Sequence, residues 1–445
     1  MHMIISPDSQ TQTGHNHRKR RVLLGMSGGV DSSVACFLLK EQGYDVVGLT
    51  LLTNPRSDEH LDDVKAICRQ AGVKLIVADV RQSFKTLIID DFIRSYALGH
   101  TPNPCVLCNP AIKFSVFIEA ADANDCDFVA TGHYAAIQKH PETGRLTLTR
   151  TDAGLKDQTY FMYRLTQEQL SRVIFPLSGW QKKTIRQKAA SLGLIGHQGS
   201  DLASKPDSQD NCFVPEAGYA EFIRTELEKN GPHEWLNLLE PGPVKNTQGE
   251  TIGTHRGLIH YTIGQRKGFQ VKTTDRLFVL GKDPGRNALI VGQHHQVMRQ
   301  KILVTDPVYS GLDAIKTGQQ LQAKIRNSAN PKPCRVYPVH NMTDETPDGL
   351  FSGSEAANNS SAIDHASDKK QSLEETSSDA ALKTASDKTA SAAVKAGKAS
   401  NDEGSPAALL VVFDESVPAP APGQSCVFYD GDYIMAGGFI SDRYL

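Results

Sequence analysis

Short, wholly apolar runs alternate with stretches of helical periodicity through the first half of the chain. Val22–Met26 reads as a buried strand, Ser33–Gln42 as a helix stopped by Gly43, Val46–Leu52 as a strand and Leu61–Ala71 as a helix stopped by Gly72. Leu75–Val80 predicts a strand, Phe84–Tyr96 a helix, Ile112–Ala123 a helix and Phe128–Thr131 a strand. Strands apolar on both faces, each followed by a helix, predict a parallel sheet with helices on both sides. This α/β domain is expected over residues 21–205. The rhythm stops over 206–295, which holds one short helix (Tyr219–Glu228), the turn-rich run Glu240-Pro241-Gly242-Pro243 and the basic, Gly-rich segment Thr262–Gly268. A small central domain is expected there. From 296 to 445, short strands separated by turns predict a C-terminal β-barrel.

Two segments fall outside these patterns. Residues 1–20 are polar and end in a basic run, which reads as a flexible tail. An organelle-targeting segment would need an apolar face that this tail lacks. Thr343–Pro406 carries 12 acidic and 6 basic residues and one aromatic, Phe351. It has too little apolar surface to offset the entropy of ordering, so 343–406 is expected to be a disordered insertion in the barrel domain.

Composition sets the outer limits. A chain of 445 residues exceeds one ordinary core, so two or three domains are expected. Hydrophobic residues at 39% and aromatics at 7% agree with part of the chain remaining unpacked. The formal charge is −2, and the acidic insertion leaves the rest mildly basic, which permits an anionic partner. Apolar runs such as Val22–Gly25 and Ala407–Phe413 are too short to cross a bilayer, and no secretory signal follows the basic run. Eight cysteines in this length point to a reducing compartment, so a cytoplasmic location away from membranes is expected. A membrane span, a small secreted module and a histone-like binder are excluded on these grounds.

The sharpest chemical signal is Gly25-Met26-Ser27-Gly28-Gly29-Val30-Asp31-Ser32-Ser33, between the first strand and the first helix. Glycines let the backbone approach a ligand, and successive N–H groups at a helix N-terminus form an anion cradle. Serine hydroxyls add donors, and Asp31 suits a Mg²⁺ accompanying phosphate. A Gly-Gly turn with serine as N-cap is the plain alternative, which the complete string at a first βα junction outweighs. The Gly-Lys-Ser/Thr ending of a Walker A loop is missing. The string resembles the PP-loop of ATP pyrophosphatases, which implies cleavage of ATP to AMP and pyrophosphate.

Three cysteines sit in polar surroundings. Cys105 and Cys108 form a C-x-x-C within Thr101–Asn109, where two prolines predict an extended or turning loop. Cys212 lies in the polar string Asp207–Phe213. A thiolate attacks an activated carbon, carries a persulfide or ligates a metal, and one C-x-x-C leaves these open. Structural zinc takes four ligands, and no second C-x-x-C exists. Cys36, Cys68, Cys126, Cys334 and Cys426 lie in or beside regular elements and read as small buried hydrophobes.

Loop and cysteines together resemble one family, the tRNA-specific 2-thiouridylases. The matching strings are Gly25–Ser33, Thr101–Asn109 with Ile112-Lys113-Phe114, Ala130–Tyr134, Lys156–Phe161, Asp207–Phe213, Gly257–Gly268 and Pro422-Gly423-Gln424 with Val427-Phe428-Tyr429. They span nearly the whole chain apart from tail and insertion. The resemblance implies a PP-loop domain of the adenine nucleotide α-hydrolase type, a central domain and a β-barrel. It implies 2-thiolation of the tRNA wobble uridine, position 34, using ATP and Mg²⁺. By motif, Gly25, Met26, Ser27, Gly28, Gly29, Val30, Asp31 and Ser32 would bind ATP, with Leu51 and Gly132 at the nucleotide. Cys108 would be the nucleophile and Cys212 the persulfide carrier. Asn103, Pro104 and Cys105 would contact the base. Lys156, Asp157, Gln158, Arg326 and Asn327 would contact tRNA, while His133 and Gln424 shape the site. Asn327 replaces a common tyrosine and removes one stacking surface.

Cys105 stands where many members have aspartate. Three cysteines at 105, 108 and 212 would suit a [4Fe–4S] cluster with one open iron. In either route, adenylation turns the uracil C2 oxygen into part of an AMP leaving group, which sulfur then displaces. The sulfur comes from a donor relay protein or from sulfide. Two rivals remain at this level: a PP-loop ligase or amidotransferase acting on a small molecule, and a nucleotide-sensing RNA-binding module without catalysis.

Overall fold

A computed structural model describes residues 19–151, 156–206, 211–271, 273, 275–340 and 406–443. The expected tail, apart from its last two residues, and nearly all of the expected insertion lie outside the described residues.

The first sheet is fully parallel. Its strands are β1 (Arg21–Gly25), β2 (Asp45–Leu52), β3 (Lys74–Asp79), β4 (Phe128–Ala130) and, further along the chain, Val173–Ile174. Their order is β3, β2, β1, β4, Val173–Ile174, which sets β1 in the centre. Val22, Leu23 and Leu24 are fully buried because both faces of β1 are covered. Val22 and Leu24 pack with helices α1 (Val30–Glu41), α2 (Leu61–Ala71) and Lys182–Ser191. Leu23 points the other way, toward Phe114, Phe117 and Ala121.

The central domain is a second sheet of five short strands between Gly242 and Gly292. Its core residues Val244, Leu258, Val279 and Leu289 join Phe84, Phe92 and Ile93 of the helical run Arg81–Ala97 in one cluster. Among the described residues the C-terminal barrel has six strands: Met298–Tyr309, Gln319–Lys324, Lys332–Val339, Ala408–Pro418, Ser425–Asp430 and Tyr433–Ile440. It closes where Val304 pairs with Ile440 and Tyr309 with Ala436. A hairpin, Ala136–Lys139 with Leu146–Thr149, adds to the barrel's outside through Tyr433 and Thr149. The parallel sheet, central domain and barrel expected from the sequence are therefore present.

Val339 and Ala408 face each other across two paired barrel strands. The described strands on either side of 341–405 thus end and begin at neighbouring points of the barrel. Replacing 341–405 with a short turn is expected to leave the melting temperature unchanged or raise it by a few degrees, since a shorter loop costs less closure entropy. A calorimetric scan checks this; a large fall would mean the segment packs on the fold.

One local expectation is corrected. Pro104–Cys108 is helical, and with the π turn Asn109–Phe114 and the helix Ser115–Ala123 it forms one continuous run. Proline is well placed at the first helical position, and the restriction before it falls on Asn103, which is extended (φ −121°). Pro110 lacks an N–H, and the ladder widens into the π turn around it. The merged run Pro104–Ala123 is, among the described residues, long and apolar enough by length and composition to cross a membrane, contrary to the short runs read from the sequence. Its apolar residues Val106, Phe114, Phe117 and Ala121 are buried on the sheet.

Candidate active site

The phosphate loop joins the C-terminal edge of β1 to α1. Gly28 takes φ +72°, a conformation glycine adopts without strain. Ser27 N–H donates to Ser32 Oγ at 3.2 Å, and Ser33 Oγ donates to the Gly29 carbonyl at 2.8 Å. Gly29 is the N-cap of α1 and has no side chain to cap it. The first-turn N–H groups thus have no side-chain acceptor from the cap and suit an anion. Met26 and Val30 point into the core, so they can serve a nucleotide only through their backbones. Leu51 lies half-buried near the end of β2, beside the same sheet edge.

Gly132 backs directly onto this loop. A Cβ there would lie 2.8 Å from Ser32 N and 3.0 Å from the Asp31 carbonyl carbon. Gly132→Ala is therefore expected to push the loop out of register and raise the KM for ATP about tenfold or more. Pyrophosphate release against ATP concentration checks this, with a melting curve to show that the fold survives.

Asp31 is locked in place. Tyr134 O–H donates to its Oδ1 at 2.7 Å, and Lys182 Nζ donates to its Oδ2 at 2.6 Å. Gln158 holds Tyr134 in turn, with Tyr134 N–H donating to Gln158 Oε1 and Gln158 N–H to the Tyr134 carbonyl, both at 3.0 Å. Gln158 thus belongs to the support of the phosphate loop. Each Asp31 oxygen keeps a lone pair, which fits a Mg²⁺ that arrives with phosphates and needs only one or two carboxylates.

The three motif cysteines come together. Cys105 lies in the first helical turn of the run from Pro104, where N–H groups and the helix dipole favour a thiolate, and Cys108 follows one turn on, on the same side. Cys105 and Cys212 are exposed and Cys108 half-buried, and all eight thiols of the chain are free. The sulfurs sit in a recess that surrounding protein desolvates: burial pushes the Cys108 thiol up to about 12, and raises those of Cys105 and Cys212. Lys113 opposes that rise at all three, so its ammonium is the common charge of the cluster.

Lys113 is anchored on its own helical run and on the motif after β4. Its Nζ donates to Asn109 Oδ1 at 3.0 Å and lies 3.4 Å from His133 Nε2. An ammonium only donates, so Nε2 accepts and Nδ1 carries the proton, which it gives to Thr131 Oγ1 at 2.7 Å. Burial, then Lys113, holds the His133 pKa well below its ordinary 6.5, which keeps the ring neutral. His133 follows Gly132, so one dipeptide touches both the phosphate loop and the thiol cluster. Lys113 was quoted within a motif but given no role by the sequence; a lysine in an otherwise apolar helical stretch was the available signal.

The residues expected to meet RNA divide into two groups. Asn103 and Cys105 reach the surface, whereas Pro104 is buried as the first helical residue. Lys156 is exposed, but both Asp157 oxygens are taken up by N–H and hydroxyl donors of Thr151 and Thr159, which hold the local turn. Arg326 reaches the Ile263 and Ala419 carbonyls and ties the Gly-rich segment to the barrel, with Asn327 half-buried beside it. Gln424 donates to the Thr101 carbonyl at 2.7 Å, and Lys282 to those of His100 and Tyr261. Barrel and central domain therefore both grip the stretch that enters the cysteine helix.

A Ser-Gly-Gly-x-Asp-Ser βα loop on a five-stranded parallel sheet defines the PP-loop class. The chain matches the tRNA methyl transferase HUP domain over residues 20–216, the tRNA methyl transferase PRC-barrel domain over 236–293 and the aminomethyltransferase β-barrel domain over 388–440. It is 32% identical to the tRNA-specific 2-thiouridylase MnmA of Clostridioides difficile, covering 95% of this chain and 98% of that protein. It is 39% identical to the MnmA of Desulfitobacterium hafniense, covering 72% and 86%. Among solved structures, a 4-thiouridine synthetase–RNA complex with bound ATP is 18% identical, with a TM-score of 0.29, covering 47% of this chain and 50% of that chain. The chain belongs to the tRNA-specific 2-thiouridylase family.

Proposed function

We propose that the chain is an ATP-dependent tRNA-uridine 2-sulfurtransferase that thiolates the wobble uridine. The observation that supports this best is the convergence of Cys105, Cys108 and Cys212 on Lys113, one residue's reach from the loop that receives ATP. The uracil O2 attacks the α-phosphorus of ATP, pyrophosphate leaves, and C2 now carries AMP as leaving group. The backbone N–H groups of Gly28 to Ser32 take the phosphate charge. Asp31 would hold the Mg²⁺ that accompanies ATP and neutralises the departing pyrophosphate.

Sulfur arrives on Cys212 as a persulfide, either by attack of the Cys212 thiolate on the outer sulfur of a relay protein's persulfide, whose thiolate leaves, or by attack of sulfide on a Cys108–Cys212 disulfide, which releases the Cys108 thiolate. The terminal sulfur on Cys212 attacks C2 and displaces AMP. Cys108 then attacks the Cys212 sulfur, which leaves 2-thiouridine on the tRNA and a Cys108–Cys212 disulfide for an external thiol to reduce. Lys113 stabilises the attacking thiolate. Asn103 and Cys105 flank the base; Lys156, Arg326 and Asn327 present donors toward the RNA, and His133 and Gln424 fix the walls. The need for free thiols is met in a reducing setting such as the cytoplasm.

A second reading rests on Cys105. Three thiols are the donor set of a [4Fe–4S] cluster, with Cys105, Cys108 and Cys212 as ligands, and such a group would present sulfide in the cleft. The donor types fit; the spacing does not, because among the described residues no three such side chains are gathered to hold a metal ion. A PP-loop ligase for a small molecule gives three thiols around one ammonium no task.

The test is thiolation of a wobble-uridine tRNA by anaerobically purified protein with ATP and sulfide, before and after iron chelation. Iron and labile sulfide are assayed in parallel. Product in both samples supports the persulfide route, and product only before chelation supports the cluster. No 2-thiouridine in either, even with a persulfide-carrying protein added, overturns the assignment.

A further inference from the structure

Two lysines from outside the phosphate loop stand at its two ends, each seated on a carboxylate. Lys182, at the start of its helix, donates to Asp31 Oδ2 at 2.6 Å. Lys205 donates to Asp63 Oδ2 at 2.9 Å and to the Gly28 carbonyl at 3.3 Å. Asp63 lies in the first turn of α2, against the back of Gly28, where a glycine Cβ would stand 3.4 Å from Asp63 Cβ. Asp63 also receives the His197 N–H at 2.6 Å, so it pins the segment that carries Lys205 to the loop. Both pairs keep contact with solvent, with side-chain exposures of 15% and 30% for Lys182 and Asp31, and 32% and 16% for Lys205 and Asp63.

We propose that Lys182 and Lys205 are triphosphate ligands that exchange Asp31 and Asp63 for the outer phosphates of ATP, and that they hold the pyrophosphate as it leaves. This rests on the reading that Gly25–Ser32 receives the phosphates. The loop itself offers only neutral N–H and hydroxyl donors, and Asp31 adds negative charge to a site meant for anions. A triphosphate needs cations fixed by the protein as well as a Mg²⁺, and these are the ammonium groups found at the loop. A single carboxylate is a weak competitor for them, because a triphosphate carries several charges and more acceptor oxygens. Before ATP arrives, the carboxylates keep the two lysines folded onto the loop and so reduce the ordering cost of binding.

Lys205 has a second consequence. It lies seven residues before Cys212 on the same segment. A lysine drawn onto the phosphates anchors the entry to the sulfur-carrying stretch beside the loaded nucleotide.

The test is equilibrium binding of MgATP, pyrophosphate and AMP to full-length wild-type protein and to Lys182→Gln, Lys205→Gln and Asp63→Asn, by titration calorimetry with melting curves alongside. Either lysine variant is expected to weaken ATP and pyrophosphate about tenfold or more and to leave AMP within about twofold. Asp63→Asn breaks the same ion pair but keeps Lys205, and is expected to bind ATP as tightly as wild type or more tightly. Lysine variants that bind ATP normally would overturn the proposal while leaving the loop assignment standing. So would an Asp63→Asn that loses ATP as Lys205→Gln does, since the pair would then be only structural. Wild-type protein that binds neither ATP nor pyrophosphate would overturn the loop assignment, and this inference with it.

Discussion

Cys212→Ser is expected to lower 2-thiouridine formation by at least about a thousandfold while tRNA-dependent pyrophosphate release continues. The two effects separate because the two chemistries use different parts of the molecule. Activation needs the loop between β1 and α1, its backing by Gly132 and the locked Asp31. None of these touches Cys212. Sulfur transfer needs a soft nucleophile that forms and releases an S–S bond, which a serine hydroxyl cannot do. Cys212 is exposed, so serine costs little stability there, and a melting curve should be close to wild type. The measurement is mass analysis of digested tRNA together with pyrophosphate release from the same reactions. Full thiolation by Cys212→Ser would end the persulfide assignment and revive a role for ATP on another substrate. Loss of both products would mean that Cys212 orders the nucleotide site, and the division of labour argued here would fail.

How much of this was legible beforehand follows from how local each signal is. The parallel sheet was readable because β1, β2 and β4 are largely buried on both faces, and a strand covered on both sides must be apolar throughout, whereas the edge strand β3 is only half-buried. The phosphate loop was readable because its chemistry lies in consecutive residues. The cysteine helix differs from the loop expected there, since Pro102 and Pro104 suggest a turn, and only the burial of Val106 with Phe114 and Phe117 on the sheet goes with the second proline starting a helix. Closure of the barrel depends on Val304 meeting Ile440, more than a hundred residues apart, and no local pattern carries that. The supporting side chains were hidden for the same reason. Tyr134 meets Asp31, Lys182 meets Asp31, and Lys205 meets Asp63 only after the fold brings distant segments together.

Lys113→Met is expected to slow alkylation of Cys108 by iodoacetamide between pH 7 and 9 by about ten- to a hundredfold, and to reduce thiolation to a similar degree. Burial, helped by the neighbouring Cys212 and Cys105, drives the Cys108 thiol up, and Lys113 is the charge that pulls it back. A unit charge several ångströms away in a partly desolvated site contributes roughly 2 kcal/mol, or one to two pK units. The sign follows directly. The thiolate is the reactive form, and its fraction grows about tenfold per pH unit below the pKa. Removing the ammonium raises a value that already stands at about 12, so the thiolate fraction falls at every pH below it. The alkylation profile of the variant is therefore displaced to higher pH and keeps its slope. The variant also frees His133 Nε2 from its donor, and the ring's own pKa should rise once the neighbouring cation is gone. Lys113→Arg keeps the charge and should recover part of the lost reactivity, which a packing defect would not allow. Peptide mapping resolves Cys105, Cys108 and Cys212 separately in the same digest. Equal alkylation rates in wild type and Lys113→Met would show that the ammonium does not govern the thiols. The activation of sulfur would then have to come from the helix N-terminus at which Cys105 sits, one turn before Cys108.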